Sequence, residues 1–476
     1  MRPLAAGAVT PHPLPWWTSP VGLALGFQLP VLGLVSWAGA SAEGSEVITV
    51  RAIRFLAWPQ LLLALGLLLA GVLGALIGRQ LRLAPGAAAE RGAAGDAADR
   101  TAGEASPRSP RAEADTARAW DRAAAVAGFV ALAAYVIWFR DYLLNPALML
   151  DILRGAFVPS RTDITLTPGL TSLVNVAPIF FSIHAYNRLV ARQAAPRWLN
   201  GLALALVALT LFRVYAWSER LALIEAVVPA ALAAAVPMMR RPGGLLRALC
   251  RAGPYAALPV VVLFFGIAES ARSWSSDTYH GKYDFWSWVL GRLATYYYTA
   301  LNNGAGLLAT VEWPTLKFEF IGGWLHNLPG LGRHFSDWVG PRGNVLPEFF
   351  ARFADPEFNS PSGLFGIVVD IGLVPGLVYM ALLGFIGGAL HRAYAEGRLA
   401  GVLGYPLLFI TALEIFRYPY LGEPRAFTWF LGIGLALFIA RGGAARAQPA
   451  RRAPGAGPAP GAADARAQVP QAGAPA

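Results

Sequence analysis

The chain has 476 residues, of which 56% are hydrophobic and only 14% are charged, and its mean hydropathy is +0.47. A soluble domain carries about 25% charged residues, so this composition excludes an ordinary soluble protein and indicates residence in a membrane. The net charge of +11 comes mainly from arginines that stand in short clusters between apolar runs. That distribution is typical of cytoplasmic connections between membrane spans, and we expect no nucleic-acid partner.

Apolar runs long enough to cross about 30 Å of hydrocarbon recur along most of the chain. They predict an all-α, polytopic membrane helix bundle of about ten transmembrane helices. With both termini in the cytoplasm, the dense arginine clusters all fall on the inner side of the membrane, as the positive-inside rule requires. The predicted spans are residues 16–39, 55–78, 123–140, 169–188, 198–216, 221–239, 254–271, 363–390, 399–416 and 426–441.

Two segments between or after the spans are rich in Ala, Gly, Pro and mixed charge and have no apolar period, which predicts disorder. The first span ends in the small-residue sequence AGASAEG, but its long apolar stretch favours an uncleaved anchor over a signal peptide. The predicted parts are an N-terminal transmembrane hairpin (1–78), a disordered cytoplasmic linker (79–120), transmembrane helices 3–7 (121–271), a large extracytoplasmic loop (272–362), transmembrane helices 8–10 (363–441) and a disordered cytoplasmic tail (442–476).

The predicted outer loop, 272–362, is unusually aromatic, with six tryptophans and the run Tyr296 to Tyr298. Disordered segments are poor in aromatic residues, so we expect this loop to fold against the outer membrane surface, as short helices over a cavity. Cys250 is the single cysteine of the chain, which excludes an internal disulfide. Long ordered loops on a rigid scaffold often carry function.

Carboxylates and guanidiniums stand together at the outer ends of several predicted spans. One such pair alone would be read as an interfacial salt bridge or a snorkelling arginine, but several on the same side indicate a common site. The residues are Glu219 and Arg220, Glu269 and Arg272, and Glu414 and Arg417 with Arg425.

Two further carboxylates, Glu225 and Asp370, fall inside predicted spans. A carboxylate there is costly unless it faces a partner or a water-filled cavity. For Asp370, a hydrogen bond to a neighbouring helix and a functional role are equally compatible with the sequence.

Nucleotide- and metal-binding motifs do not occur in the sequence. There is no GxxxxGK[ST] loop, no paired histidine spacing and no Asp-x-Asp. We therefore expect neither a nucleotide, nor a metal site, nor another cofactor.

Four stretches resemble the bacterial oligosaccharide repeat unit polymerases, the Wzy-type enzymes of O-antigen and exopolysaccharide synthesis. They are residues 218–225, 269–274, 292–304 and 359–372. The resemblance implies a GT-C-like membrane glycosyltransferase of the bacterial inner (plasma) membrane. Its substrates would be undecaprenyl-pyrophosphate-linked oligosaccharides, polymerised at the outer face without nucleotide or metal. A chain-length regulator and a flippase of the same pathway would be its partners, besides membrane lipid.

The resemblance and the chemistry of arginine together suggest a role for each charged residue. Bidentate guanidiniums bind pyrophosphate oxygens, and a carboxylate takes the proton of an attacking hydroxyl. The predicted pyrophosphate- or glycan-binding residues are Arg220, Arg272, Arg417 and Arg425. The predicted catalytic bases are Glu269, Glu219 and Asp370, in that order.

Two other functions stay open at this stage. An O-antigen ligase would use the same donor but a different acceptor, and a large outer loop suits both enzymes. A flippase or secondary transporter would also be polytopic, although transporters often carry internal repeats with charges near the midplane. In this sequence the charges lie at the outer boundary and no repeat is visible.

Overall fold

The computed structural model of the chain describes residues 12–40, 53–81, 110–154, 156–157, 159, 167, 169–217, 219–241, 243–270, 274, 284–343, 345–355 and 357–446. Secondary structure in these residues is helical, with no β-strand among them. Their α-helices are α1 (Pro20–Leu23), α2 (Leu29–Ala40), α3 (Trp58–Gly78), α4 (Pro110–Trp138), α5 (Arg140–Leu143), α6 (Pro146–Leu153), α7 (Ala177–Ala185), α8 (Arg197–Trp217), α9 (Arg220–Arg240), α10 (Leu245–Ala252), α11 (Pro254–Glu269), α12 (Phe285–Thr310), α13 (Gly332–Val339), α14 (Val345–Phe353), α15 (Gly363–Ile371), α16 (Leu373–Ala395), α17 (Leu399–Glu414) and α18 (Pro424–Arg446).

Seven helical segments of the described chain are long and apolar enough to cross a membrane, and an eighth would form if α10 and α11, which meet at a 78° bend, made one span. This all-helical arrangement is consistent with a polytopic helical membrane protein, which confirms the class predicted from composition. Fewer than the ten predicted spans meet the criteria of length and apolarity among the described residues, partly because α17 is a shorter apolar helix. The seven segments are Pro20–Gly39, Trp58–Gly78, Ala117–Trp138, Arg197–Trp217, Leu221–Arg240, Leu373–Ala395 and Pro424–Gly442.

Among the described helices, the most extensive contact is that of α3 with α16, which run side by side in the same direction. A Cβ atom added to Gly74 would lie 1.9 Å from the carbonyl oxygen of Ala381. A Cβ added to Gly384 would lie 1.9 Å from the carbonyl oxygen of Gly71. Small residues allow this backbone-to-backbone approach, which gives extensive van der Waals contact where lipid provides no hydrophobic driving force.

The predicted outer loop contains a long helix as well as short ones. The 26-residue α12 begins after Asp284, whose side chain accepts the backbone N–H of Ser287 at 3.0 Å. This hydrogen bond lowers the pKa of Asp284. Helix α12 packs against α11 with its first half and against α2, α14 and α15 with its second half, so it is part of the bundle instead of covering it. Asn302 fixes that half by accepting the backbone N–H groups of Phe55 and Leu56.

Several predicted boundaries differ from the helices of the structure. The predicted span 363–390 is divided at Gly372, whose φ of +86° favours glycine and ends α15 before α16 begins. Helix α4 begins at Pro110, so the last residues of the predicted linker are helical. The rest of the linker from 82 to 109, the end of the AGASAEG sequence after residue 40 and the tail beyond 446 lie outside the described residues.

The glycine contact between α3 and α16 can be tested with one substitution. Gly74→Val should destabilise the protein by about 1–3 kcal/mol, because the added methyl groups force the two backbones apart. Gly66→Val on the same helix is the matched control, since a Cβ there meets nothing within 4 Å. The midpoint of thermal unfolding in detergent measures both variants, and equal midpoints would contradict the role of the contact.

Candidate functional site

A buried guanidinium lies between two carboxylates where α11 ends against α12. The Nε atom of Arg292 is 2.9 Å from Glu269 Oε2, and Nη1 is 2.8 Å from Glu357 Oε2. The side chains of Arg292 and Glu269 are 1% and 0% exposed, whereas that of Glu357 is 42% exposed. The buried charge of Arg292 requires an opposite charge beside it. Glu269, the last residue of α11, supplies that charge.

A row of aromatic rings connects Arg292 to a second guanidinium, that of Arg417. The Cζ atom of Arg292 lies 5.0 Å from the ring centroid of Phe358, and Phe358 is 5.0 Å from the ring of Tyr296. On the far side, the Cζ atom of Arg417 lies 5.3 Å from the Tyr296 ring. Both guanidiniums thus contact π faces, an arrangement that stabilises a cation without using its N–H groups.

Arg417 lies in the turn after α17 and keeps donor capacity. Its Nη1 atom is 3.2 Å from Glu414 Oε2, and its Cζ atom lies over the Tyr418 ring at 5.2 Å. The Nε atom is buried and has no hydrogen-bond partner among the described residues. Burial by itself lowers the pKa of Arg417, but Glu414 and the nearby tyrosines outweigh it, so the pKa is raised. The guanidinium therefore stays charged, and its buried Nε–H group has no acceptor among the described residues.

Glu225, which the sequence places inside a span, has the partners that its position requires. The hydroxyl of Tyr420 donates to Glu225 Oε1 at 2.6 Å, and Arg425 Nη1 lies 3.3 Å from the same oxygen. The Glu225 side chain is 3% exposed. These contacts tie α9 to the start of α18 and to the turn after α17.

A further pair on the same side joins Arg213 near the end of α8 to Glu219, which directly precedes α9. Arg213 donates to Glu219 Oε2 and to Asn175, and its Cζ atom lies 4.5 Å from the Trp138 ring centroid. The charge of Glu219 also acts on Arg425. The paired charges therefore form one continuous cluster across the ends of several helices, which we call the charged end of the bundle. It comprises Arg213, Glu219, Glu225, Glu269, Arg292, Glu357, Glu414, Arg417, Tyr420 and Arg425.

Four of the residues predicted for the site lie in the charged end, and each has an ionic partner. They are Glu219, Glu269, Arg417 and Arg425. Arg272 lies outside the described residues, and for Arg220 the structure describes only its place as the first residue of α9.

Six members of the cluster were not among the predicted site residues, although the sequence analysis had singled out the positions of Glu225 and Glu414. The six are Arg213, Glu225, Arg292, Glu357, Glu414 and Tyr420. For Arg213 a signal did exist, since an arginine inside a predicted span requires a partner. Arg292 precedes a run of three tyrosines in a segment predicted as a loop, and nothing in the sequence indicates that it is buried.

Asp370 lies apart from the ion pairs, at the end of α15. Its Oδ1 accepts the backbone N–H of Glu319 at 3.0 Å, and its Oδ2 accepts those of Phe320 and Ile321 at 2.7 and 2.9 Å. Both carboxylate oxygens are engaged in holding this chain segment. This geometry favours a structural role for Asp370 over its predicted role as a base.

The described residues hold no group of three or more His, Cys, Asp or Glu side chains suited to a metal ion. The chain matches no protein-family profile, no curated protein and no solved structure. In the part of the chain that the structure describes, the fold and the site define an all-helical arrangement with seven candidate membrane spans and a cluster of paired arginines and carboxylates at one end.

Removing one member of the Arg292 pair should be strongly destabilising. Arg292→Met leaves Glu269 buried without this guanidinium, which costs about 3–5 kcal/mol. Adding Glu269→Leu should recover most of the loss, because the buried charge is then also removed. Denaturant titration measures the free energy of unfolding, with Arg441→Met at the exposed opposite end of α18 as control. A double variant no more stable than the single one would contradict the pairing.

Substitution of Asp370 separates a structural from a catalytic role. Asp370→Ala deprives three backbone N–H groups of their acceptor, at about 1–3 kcal/mol each, so we expect a loss of stability of at least about 3 kcal/mol. Asp370→Asn keeps one oxygen acceptor and should lose less. The structural role predicts that a folded Asp370→Asn protein keeps its activity. A folded Asp370→Asn protein without activity would instead support the predicted role of Asp370 as the catalytic base.

Proposed function

We propose that this protein is a membrane glycosyltransferase that polymerises oligosaccharide repeat units carried on a polyprenyl diphosphate at the outer face of a bacterial plasma membrane. The observation that supports it best is Arg417, whose buried Nε atom has no hydrogen-bond partner among the described residues, within a cluster of paired charges. A diphosphate at headgroup level is the anion that such a guanidinium recognises.

The arginines at the other end of the helices support the proposed orientation. There Arg392 Nη1 donates to the carbonyl oxygen of Arg79 at 3.0 Å, and Arg241, Arg251 and Arg441 are exposed. An excess of solvated arginines is typical of the cytoplasmic side. The charged end then faces outward, where no nucleotide supplies energy and the leaving diphosphate must drive the transfer.

The proposed step is a displacement at the first carbon of the donor sugar. The bond between that carbon and the diphosphate oxygen breaks, and its electron pair leaves with the diphosphate, whose charge Arg417 stabilises. An oxygen of the acceptor sugar forms the new glycosidic bond, and its proton passes to a carboxylate. The products are the elongated lipid-linked glycan and a free polyprenyl diphosphate.

Glu269 remains our leading candidate for the proton acceptor, although it is fully buried against Arg292. Glu357 binds the other side of the same guanidinium and is 42% exposed, so a sugar hydroxyl reaches it more directly. We therefore add Glu357 to the candidates. The rings of Tyr296 and Phe358 between the two arginines suit the apolar face of a sugar.

Neutralising Arg417 tests the proposed diphosphate contact. Arg417→Gln should reduce polymer formation by about 100-fold or more, because a charge-assisted contact to the leaving group is lost from the transition state. Arg441→Gln, which removes an exposed charge at the opposite end, should leave polymer length normal. Gel analysis of glycan length, with immunoblotting of membrane fractions to verify protein amount, gives the result. Normal polymer from Arg417→Gln would remove this residue from the mechanism.

Deleting the gene separates the three candidate functions. Single repeat units that become a ladder on complementation support the polymerase. Full-length polymer left on its lipid carrier would identify the ligase, which uses the same donor with another acceptor. Loss of even the single exported unit would identify a transporter.

A further inference from the structure

Helix α10 meets α11 at an angle of 78°, so it does not continue the path of α11 between the two ends of the bundle. The corner is Gly253, whose φ of +46° favours glycine, and a Cβ added there would lie 2.2 Å from Cδ1 of Trp17. From this corner α11 runs to Glu269 in the charged end. Helix α10 therefore lies across the bundle at its opposite end.

Two tryptophans and a cysteine hold α10 in this direction. Trp16 Nε1 donates to the carbonyl oxygen of Arg251 at 2.8 Å, and Trp17 Nε1 donates to that of Cys250 at 2.7 Å. These carbonyl groups belong to the last turn of the helix, where no intrahelical donor reaches them. The Sγ atom of Cys250 lies 4.0 Å from the carbonyl oxygen of Ala235, so this side of α10 packs against α9. The bend is thus fixed by contacts on two sides of α10.

The remaining faces of α10 separate leucine from arginine. Leu245, Leu246 and Leu249 are 74%, 47% and 46% exposed. Leu249 stands between Arg247 and Arg251 in the sequence, but on the helix it points about half a turn away from each of them. An amphipathic helix with this distribution lies in a membrane surface, with its apolar face among the acyl chains and its basic face towards the headgroups.

The arginines around α10 have no counter-charge in the structure. Neither Asp nor Glu occurs in the sequence between Glu225 and Glu269, whereas four arginines stand within residues 240–251. None of the four forms an ion pair with a carboxylate among the described residues. The four are Arg240, Arg241, Arg247 and Arg251.

A pair of exposed aromatic rings lies at the same corner of the bundle. The ring centroids of Trp16 and Tyr255 are 6.2 Å apart, and the two side chains are 42% and 59% exposed. Tryptophan and tyrosine concentrate at the level of the lipid headgroups, because their rings are apolar and each carries one polar group. The leucines, the arginines and these rings together indicate that this corner rests on the membrane surface.

We propose that α10 lies in the membrane surface opposite the charged end and binds anionic phospholipids, with its leucines among the acyl chains and the neighbouring arginines on the phosphate groups. Charge complementarity favours this partner, since a group of unpaired arginines attracts a negative lipid surface. A neutral lipid would cover the leucines equally well, so the arginines determine the preference for anionic headgroups. Helix α10 is then not the first part of an eighth span. This lipid contact is independent of the reaction at the charged end.

Lipid titration tests the preference for an anionic headgroup. Dansyl-labelled phosphatidylglycerol is titrated into the purified full-length protein in detergent micelles, and energy transfer from tryptophan to the dansyl group gives the dissociation constant. Arg241→Gln combined with Arg251→Gln should weaken binding by about tenfold or more, because each arginine at the surface contributes to the attraction of anionic lipid. Both side chains are exposed, so we expect this double variant to fold.

Arg197→Gln combined with Arg441→Gln is the matched control. It removes the same charge from exposed positions outside α10 and should bind the labelled lipid as the unchanged protein does. Equal dissociation constants for the two double variants would overturn the proposal. Displacement of the labelled lipid by phosphatidylcholine as efficiently as by phosphatidylglycerol would also overturn it.

Thiol labelling tests how α10 lies relative to the lipid. Leu249→Cys and Arg251→Cys are made separately in a Cys250→Ala background, and the proteins in lipid nanodiscs react with a water-soluble maleimide. Leu249 and Arg251 are both exposed on the protein itself, so only lipid can distinguish the two positions. The thiol at position 251 should react at least about tenfold faster, because acyl chains cover the leucine face. Fast labelling at both positions would place α10 in water and slow labelling at both would place it inside a span, and either result would overturn the proposal.

Discussion

The arrangement of the charged end follows from the cost of burying an unpaired charge at the level of a membrane. Arg292 is 1% exposed, and burying its charge is costly unless a carboxylate such as Glu269 pairs with it, so the end of α11 is held against α12. The same requirement joins Glu225 to Arg425 and thereby α9 to α18. A single physical constraint therefore positions helices that are far apart in sequence.

Paired charges and aromatic rings hold the guanidinium of Arg417 in place and still leave it an N–H group for the anion that we propose. Cation–π contacts hold Arg417 between Tyr296 and Tyr418 without consuming its N–H groups, and Glu414 engages one terminal nitrogen. The guanidinium is thus oriented before any ligand arrives. An oriented donor loses little conformational entropy on binding, which is the advantage of preorganisation.

Composition and the length of the apolar runs were sufficient to predict an all-helical membrane protein. The hydrocarbon core of the membrane requires every span to be apolar and long enough to cross it. The pairing of residues at the charged end was predicted only in part. Glu414 and Arg417 are neighbours on the chain, so their pairing follows from helical spacing. Glu269 was expected beside Arg272, which lies outside the described residues. Its contact with Arg292 was not predicted, because it depends on the tertiary position of a buried helix that the sequence presents as a loop. The break at Gly372 likewise could not be predicted from hydropathy, because it depends on the positive backbone φ angle of this glycine.

The glycine contact between α3 and α16 has a consequence for the evolution and assembly of the chain. It docks α3 of the N-terminal hairpin against α16, although a long segment separates the hairpin in sequence from the helices that follow. The hairpin is therefore an integral part of the bundle and not an accessory domain. Two polypeptides divided between residues 82 and 109 should reassemble like a split protein, and lengthening that segment should be tolerated because the contact between α3 and α16, not covalent connection, holds the hairpin in place.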